Sequence, residues 1–195
     1  MAIAGRLNRE GGVATQIPPL FLLTDPVRTP DPLSLARRLP PGAAIIFRHF
    51  GAADRVRTAR RLARLARARQ LSLLISADPE LALYVNAAGV HWPEARLPQM
   101  RDPRLRLETA SAHGASGLTA AARFGAAACL LGPIFPTRSA AKNVPLGLFR
   151  ASQLARAATL PVVALGGIDA GNASVLAARG FAGIAAIDAF REIPK

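Results

Sequence analysis

Eight short apolar runs recur along the chain, most of them followed by a helical segment, and this rhythm restricts the fold more than any other feature. The runs are Leu20–Leu23, Ala43–Phe47, Leu71–Ile75, Gly89–His91, Leu105–Thr109, Ala127–Leu131, Val162–Leu165 and Gly183–Ile187. Strand followed by helix, repeated, means parallel strands joined by right-handed crossovers. Eight such units predict an α/β fold closed into a (β/α)8 TIM barrel. The open doubly wound sheet is the rival architecture, but no GxGxxG follows the first run to favour it. Asp31-Pro32 ahead of Leu33–Leu39, Asp78-Pro79 ahead of Glu80–Asn86, and Ser116 ahead of Leu118–Phe124 all read as helix starts. Gly125 and Gly180 stand where helices should stop. At 195 residues the barrel is small. Residues 98–104 offer only a vestigial helix after the fourth strand, and residues 189–195 barely one turn after the eighth. Residues 1–17 read as a partly disordered tail and residues 18–195 as a single barrel domain.

Half the residues are hydrophobic and few are aromatic, so the core is built from Leu, Ile, Val and Ala. That suits strands covered on both faces. No apolar run reaches the roughly 18–20 residues of a membrane span, and the first 16 residues lack the apolar centre of a secretory signal. The single Cys129 cannot form an internal disulfide and fits a reducing cytoplasm.

The net charge of +13 raises the question of a nucleic-acid partner. Nearly all of it is arginine, because Lys142 and Lys195 are the only lysines. Arg57, Arg60, Arg61, Arg64 and Arg67 fall at helical spacing opposite a stripe of Val56, Ala59, Leu62, Ala63 and Ala66. This is the pattern of a solvated helix face. No aromatic residue interleaves with these arginines in the sequence, so a stacking platform for bases is not expected.

Barrels of this kind place their chemistry at the C-terminal ends of the strands. His49, His91 and His113 all fall at such ends, and alternation puts Ser111 and His113 on one face of the fifth strand. Gly166-Gly167 follows the seventh strand, with a helix expected to begin around residues 169–172. Together with Ala186 and Ile187 at the end of the eighth strand, they form a candidate phosphate site. The loop Gly132–Ser139 adds Thr137, Arg138 and Ser139, with Lys142 nearby.

The runs Gly89-Val90-His91, Ser111-Ala112-His113, Gly132-Pro133-Ile134-Phe135-Pro136-Thr137 and Pro161–Ile168 resemble, in order, the thiamine-phosphate synthase family. The related thiazole tautomerases belong to the same superfamily. The resemblance covers about Leu20 to Phe190. It implies a barrel that couples hydroxymethylpyrimidine diphosphate to thiazole phosphate, with magnesium on the diphosphate. On this carry-over Arg48 matches a catalytic arginine after the second strand, while Ile46 and Phe50 stand where the family has glutamine and lysine. Ser76-Ala77 replaces an Asn-Asp pair, so one magnesium carboxylate is gone, and Arg96 takes the place of the second. Thr137 matches, Ser139 replaces a threonine, Ala140 a lysine and Asp188 a phosphate-binding serine.

No metal cofactor is therefore expected, because a hard cation needs oxygen ligands where Ala77 and Arg96 stand. The leading expectation is a divergent family member of thiamine biosynthesis or salvage that binds a phosphorylated heterocycle. Its catalytic candidates are His113 and Arg48. Its ligand-binding candidates are Ser111, Thr137, Arg138, Ser139, Lys142, Gly166, Gly167, Ala186 and Ile187, with His91, Arg96 and Ser76 beside them. As an enzyme it is either a transferase of the synthase type or a thiazole tautomerase using His113 as acid–base. A non-catalytic ligand-binding relative and a nucleic-acid binder are the other classes. Self-association into a homo-oligomer is compatible with all of these.

Overall fold

The computed structural model describes residue 4, residues 17–137 and residues 144–187. The strands are β1 (Leu20–Leu23), β2 (Ala44–Phe47), β3 (Ser72–Ser76), β4 (Gly89–Trp92), β5 (Leu107–Ala112), β6 (Ala128–Leu131), β7 (Val162–Leu165) and β8 (Phe181–Ala186). They are parallel and close as β1-β2-β3-β4-β5-β6-β7-β8, with β8 returning to β1. The α-helices are α1 (Pro32–Arg38), α2 (Arg55–Ala68), α3 (Pro79–Tyr84), α4 (Ala115–Phe124) and α5 (Leu148–Ala157). The barrel expected from the apolar rhythm is the one found.

Two cores follow from strand alternation. Phe21, Leu23, Ala44, Ile46, Leu74, Ala128, Leu130, Val163 and Ala185 fill the barrel. Leu22, Ile45, Phe47, Leu73, Ile75, Cys129 and Leu131 point outward to meet the helices. Burial on both faces is why the strands read as unbroken apolar runs. Deep burial also pushes the Cys129 thiol pKa up to about 12.

Local chemistry sets the helix starts. The Asp31 and Asp78 carboxylates accept from the Ser34 and Leu81 N–H groups, each ahead of a proline at the first helical turn. Helix α4 begins at Ala115, earlier than Ser116 had suggested, and ends at Gly125 in the left-handed conformation. On α2, Thr58 takes a buried place while Val56, expected in the apolar stripe, is exposed. The five arginines are exposed as expected. The structure brings one aromatic to them: the Arg60 guanidinium lies 6.0 Å from the ring centre of Tyr84, on α3.

Three sequence expectations shift. Strand β5 starts later and runs further than Leu105–Thr109, because its inward side chains turn polar at Thr109 and Ser111 while the backbone stays paired with β6. Strand β8 starts earlier, with an irregularity opposite Val162/Val163 that absorbs Ala182. The helix expected after β7 is only a four-residue 3-10 turn, Ala173–Leu176. Asp169 is the reason: its carboxylate accepts from the N–H groups of Gly171 and Asn172, and Asn172 returns Oδ1 to the Asp169 N–H. Positive φ at Ala178 and Gly180 then stops the segment. The fourth crossover has no α-helix, as expected, but its 3-10 turn lies at Glu94–Arg96 and not within residues 98–104. The segment after Ile187 and the N-terminal tail lie outside the described residues, apart from residues 4 and 17.

Candidate functional site

Inward positions are apolar through the middle of the barrel and polar at its C-terminal end. Ile46 is followed two residues on by Arg48, Leu74 by Ser76 and Gly89 by His91, while on β5 the inward positions are polar from Thr109 to Ser111. Above this layer lies a cavity of about 230 Å3. Its walls include Arg28, Arg48, His91, Glu94, Ser111, His113, Gly132, Thr137, Gly166 and Ile187, so nearly every strand end contributes.

His91 is buried, with Nδ1 bonded to Thr109 Oγ1 at 2.9 Å and Nε2 to Ser111 Oγ at 2.8 Å. Burial, aided by the charge of Arg48, pushes its pKa down to about 3. The ring is therefore neutral, donating to one hydroxyl and accepting from the other. That makes it a brace which orients Ser111. His49 packs outward, stacked on Phe47 at 4.9 Å between ring centres. Burial lowers its pKa as well.

His113 differs on every count. Its side chain is half exposed, and Glu94 Oε2 accepts from its Nδ1 at 2.5 Å and from its backbone N–H at 2.9 Å. Nε2 is the ring nitrogen left to meet a ligand. Arg48 is held by donating Nε to the Thr24 carbonyl at 2.8 Å and by pairing with Asp25 at 3.5 Å. Burial draws its pKa down, and Asp25 opposes that.

Gly166 and Gly167 both have positive φ, and side chains there would strike the β6 loop. A Cβ on Gly166 would lie 2.7 Å from Pro133 Cα, and one on Gly167 would lie 2.4 Å from the Pro136 carbonyl. The pair lets two loops touch. The N–H groups expected from a helix start around residues 169–172 are already satisfied inside the Asp169–Asn172 turn.

Of the predicted residues, His113, Arg48, Ser111, His91, Thr137, Gly166 and Ile187 share the cavity wall. Gly167, Ala186, Ser76 and Arg96 do not line it. Arg138, Ser139 and Lys142 lie outside the described residues. Sequence reasoning missed Arg28 and Glu94. Glu94 had a usable signal: it stands two residues after β4, and β4 neighbours β5, which carries His113.

The Arg96 guanidinium lies 5.1 Å from the ring centre of Phe50, and the Arg55 guanidinium lies 5.2 Å from the same centre. Asp78 is paired with Arg55 at 3.3 Å. Among the described residues no three His, Cys, Asp or Glu side chains cluster to hold a metal ion, and no helix is long and apolar enough to cross a membrane.

An eight-stranded parallel barrel with a polar mouth of this kind is the architecture of many phosphate-handling enzymes. The particular family is specified by comparison. The thiamine monophosphate synthase family model matches residues 24–190, and the chain belongs to that family, which serves thiamine biosynthesis. It is 35% identical to a thiamine-phosphate synthase of Chlorobium luteolum, over 88% of this chain and 84% of that one. It is 38% identical to a putative thiamine-phosphate synthase of Geobacter sulfurreducens, over 67% of each. The fold matches a thiamine phosphate pyrophosphorylase structure from Pyrococcus furiosus with a TM-score of 0.73, at 24% identity and covering 95% of this chain and 88% of that one.

Proposed function

We propose that this chain binds a thiazole phosphate in the barrel mouth and moves a proton on its ring, with His113 as the acid–base. The observation that carries this reading is the His113–Glu94 pair on the cavity wall. With Nδ1 donating to Glu94, the neutral ring presents its lone pair at Nε2. Nε2 takes a proton from one position of the thiazole and returns one at another, so the ring leaves with the atoms it brought. The loops after β7, β8 and β1 are consecutive around the barrel. Gly166, Ile187 and Arg28 therefore share one sector of the wall, a suitable berth for the phosphate, with β5 on the far side.

The coupling reaction named for the relatives is the less favoured reading. The residues at the ends of β3 and β4 do not fit the magnesium site that the resemblance implies. Ala77 offers no ligand, Arg96 brings a cation onto Phe50, and Asp78 and Glu94 are engaged by Arg55 and His113.

The test is solvent-deuterium exchange into thiazole phosphate, followed by NMR. Wild-type protein catalyses exchange with or without chelator. His113→Asn loses on the order of 10²–10⁴-fold in rate, the usual share of general acid–base catalysis, while thiazole phosphate still binds. Binding without exchange would make the chain a ligand-binding relative. Thiamine phosphate formed when pyrimidine diphosphate and magnesium are added would restore the coupling reading.

A further inference from the structure

Helix α4 contains a glycine, Gly117, in its first turn, where alanine would be about 1 kcal/mol more favourable for the helix. Its φ is not in the left-handed region, so no turn requires it. What occupies the missing side chain's place is first Glu94 and then β5: a Cβ on Gly117 would lie 2.4 Å from Glu94 Oε1, 2.8 Å from its Cδ and 2.9 Å from Ala112 Cβ. The first turn of α4 holds no acidic residue and has no side-chain cap. An anion is favoured beside such a turn, and Glu94 supplies it from the preceding crossover. One oxygen thus rests against α4 while the other, Oε2, accepts from both the ring and the backbone N–H of His113.

We infer that Glu94 is the positioning residue for His113 and that Gly117 stays free of a side chain to seat it. Glu94 fixes the ring as the Nδ1–H tautomer, aims Nε2 at the cavity and opposes the positive charge that develops when Nε2 takes a proton. The effect on rate rests on the proton-transfer reading above; the geometry does not. Gly117→Ala acts at a distance from any ligand. The new methyl displaces the Glu94 carboxylate, the flexible end of its side chain, and with it the hold on His113; it also presses on Ala112 Cβ, so Glu94→Ala, which leaves that contact alone, carries the positioning claim.

Nitrogen-15 NMR of the His113 ring reads the tautomer directly, with melting temperature as the control for folding. Wild type shows Nδ1–H. Glu94→Ala and Gly117→Ala both lose that preference, whereas Glu94→Gln, which keeps an acceptor, retains it. In exchange assays on thiazole phosphate, Glu94→Ala and Gly117→Ala lower kcat on the order of 10-fold or more, a part of the acid–base contribution, with KM unchanged. An Nδ1–H signal that persists in Glu94→Ala overturns the positioning role, whatever the activity. If it is lost in Glu94→Ala but persists in Gly117→Ala, the role of Gly117 as the seat is overturned. If wild type shows Nδ1–H yet exchanges no proton on thiazole phosphate, the proposed reaction fails and the Glu94 seat stands.

Discussion

His91 and His113 are the same residue type at the ends of neighbouring strands, and burial separates their roles. His91 sits in a buried layer with both nitrogens engaged; His113 sits at the rim with one nitrogen held and one left over. The folded pKa of His91, about 3, lies below the roughly 6.5 of an unfolded histidine. The unfolded chain therefore binds the proton more readily, and stability falls as pH drops below about 6.5, at up to about 1.4 kcal/mol per pH unit from this group. His49, whose pKa is also lowered by burial, adds to the slope in the same direction. Urea midpoints measured from pH 7 to pH 4 should decline steeply, and His91→Asn should flatten the decline while lowering stability at pH 7. A wild-type midpoint that stays level over that range would mean that His91 is charged in the fold.

At the scale of elements, the two 3-10 crossovers show how a barrel manages with missing helices. After β4 the chain is anchored by Glu108, a fully buried carboxylate on the outer face of β5. It accepts from Trp92 Nε1 at 2.9 Å, Arg101 Nε at 3.2 Å and the Asp102 N–H at 3.2 Å. Glu108→Ala would strand the buried Trp92 N–H and release residues 97–106. A loss of about 2–4 kcal/mol in chemical denaturation is expected, with new protease cleavage inside that stretch. An unchanged midpoint would assign the anchoring to Trp92 packing alone. None of this was visible in the sequence, where Glu108 reads as an ordinary charged residue on a strand. What was legible followed periodicity: eight apolar runs, and the Asp-Pro starts of α1 and α3. The true bounds of β5 and the lost seventh helix were not, because polar inward residues at Thr109 and Ser111 hid the first and side-chain hydrogen bonds at Asp169 decided the second. Glu94 escaped for the same reason, since its partner is distant in sequence and adjacent only once β4 and β5 pair.

For the whole molecule, charge is the property that the fold leaves unbalanced. The chain carries +13, and α2 concentrates part of it in Arg57, Arg60, Arg61, Arg64 and Arg67, all exposed. Among the described residues only Arg57 of these has an acidic partner, Asp54 at 3.9 Å, in a pair too exposed to contribute much. Such a face attracts polyanions through counterion release, which falls steeply with salt and reads no sequence. Tyr84 beside Arg60 provides one aromatic surface, whereas single-strand binders line up several for successive bases. Self-repulsion among these arginines should also make the protein less stable at low ionic strength, because the Debye length, about 10 Å at 0.1 M, lengthens as salt falls and leaves the repulsion less screened. Two measurements separate a solvated face from a working one. Binding to a single-stranded oligonucleotide should be detectable in low salt and vanish by about 200 mM, and the melting temperature should rise over the same interval. Changing Arg57, Arg60 and Arg64 to Glu should abolish the binding and leave proton exchange on thiazole phosphate intact. Nanomolar affinity that survives physiological salt and disappears in that triple variant would instead make α2 a nucleic-acid interface.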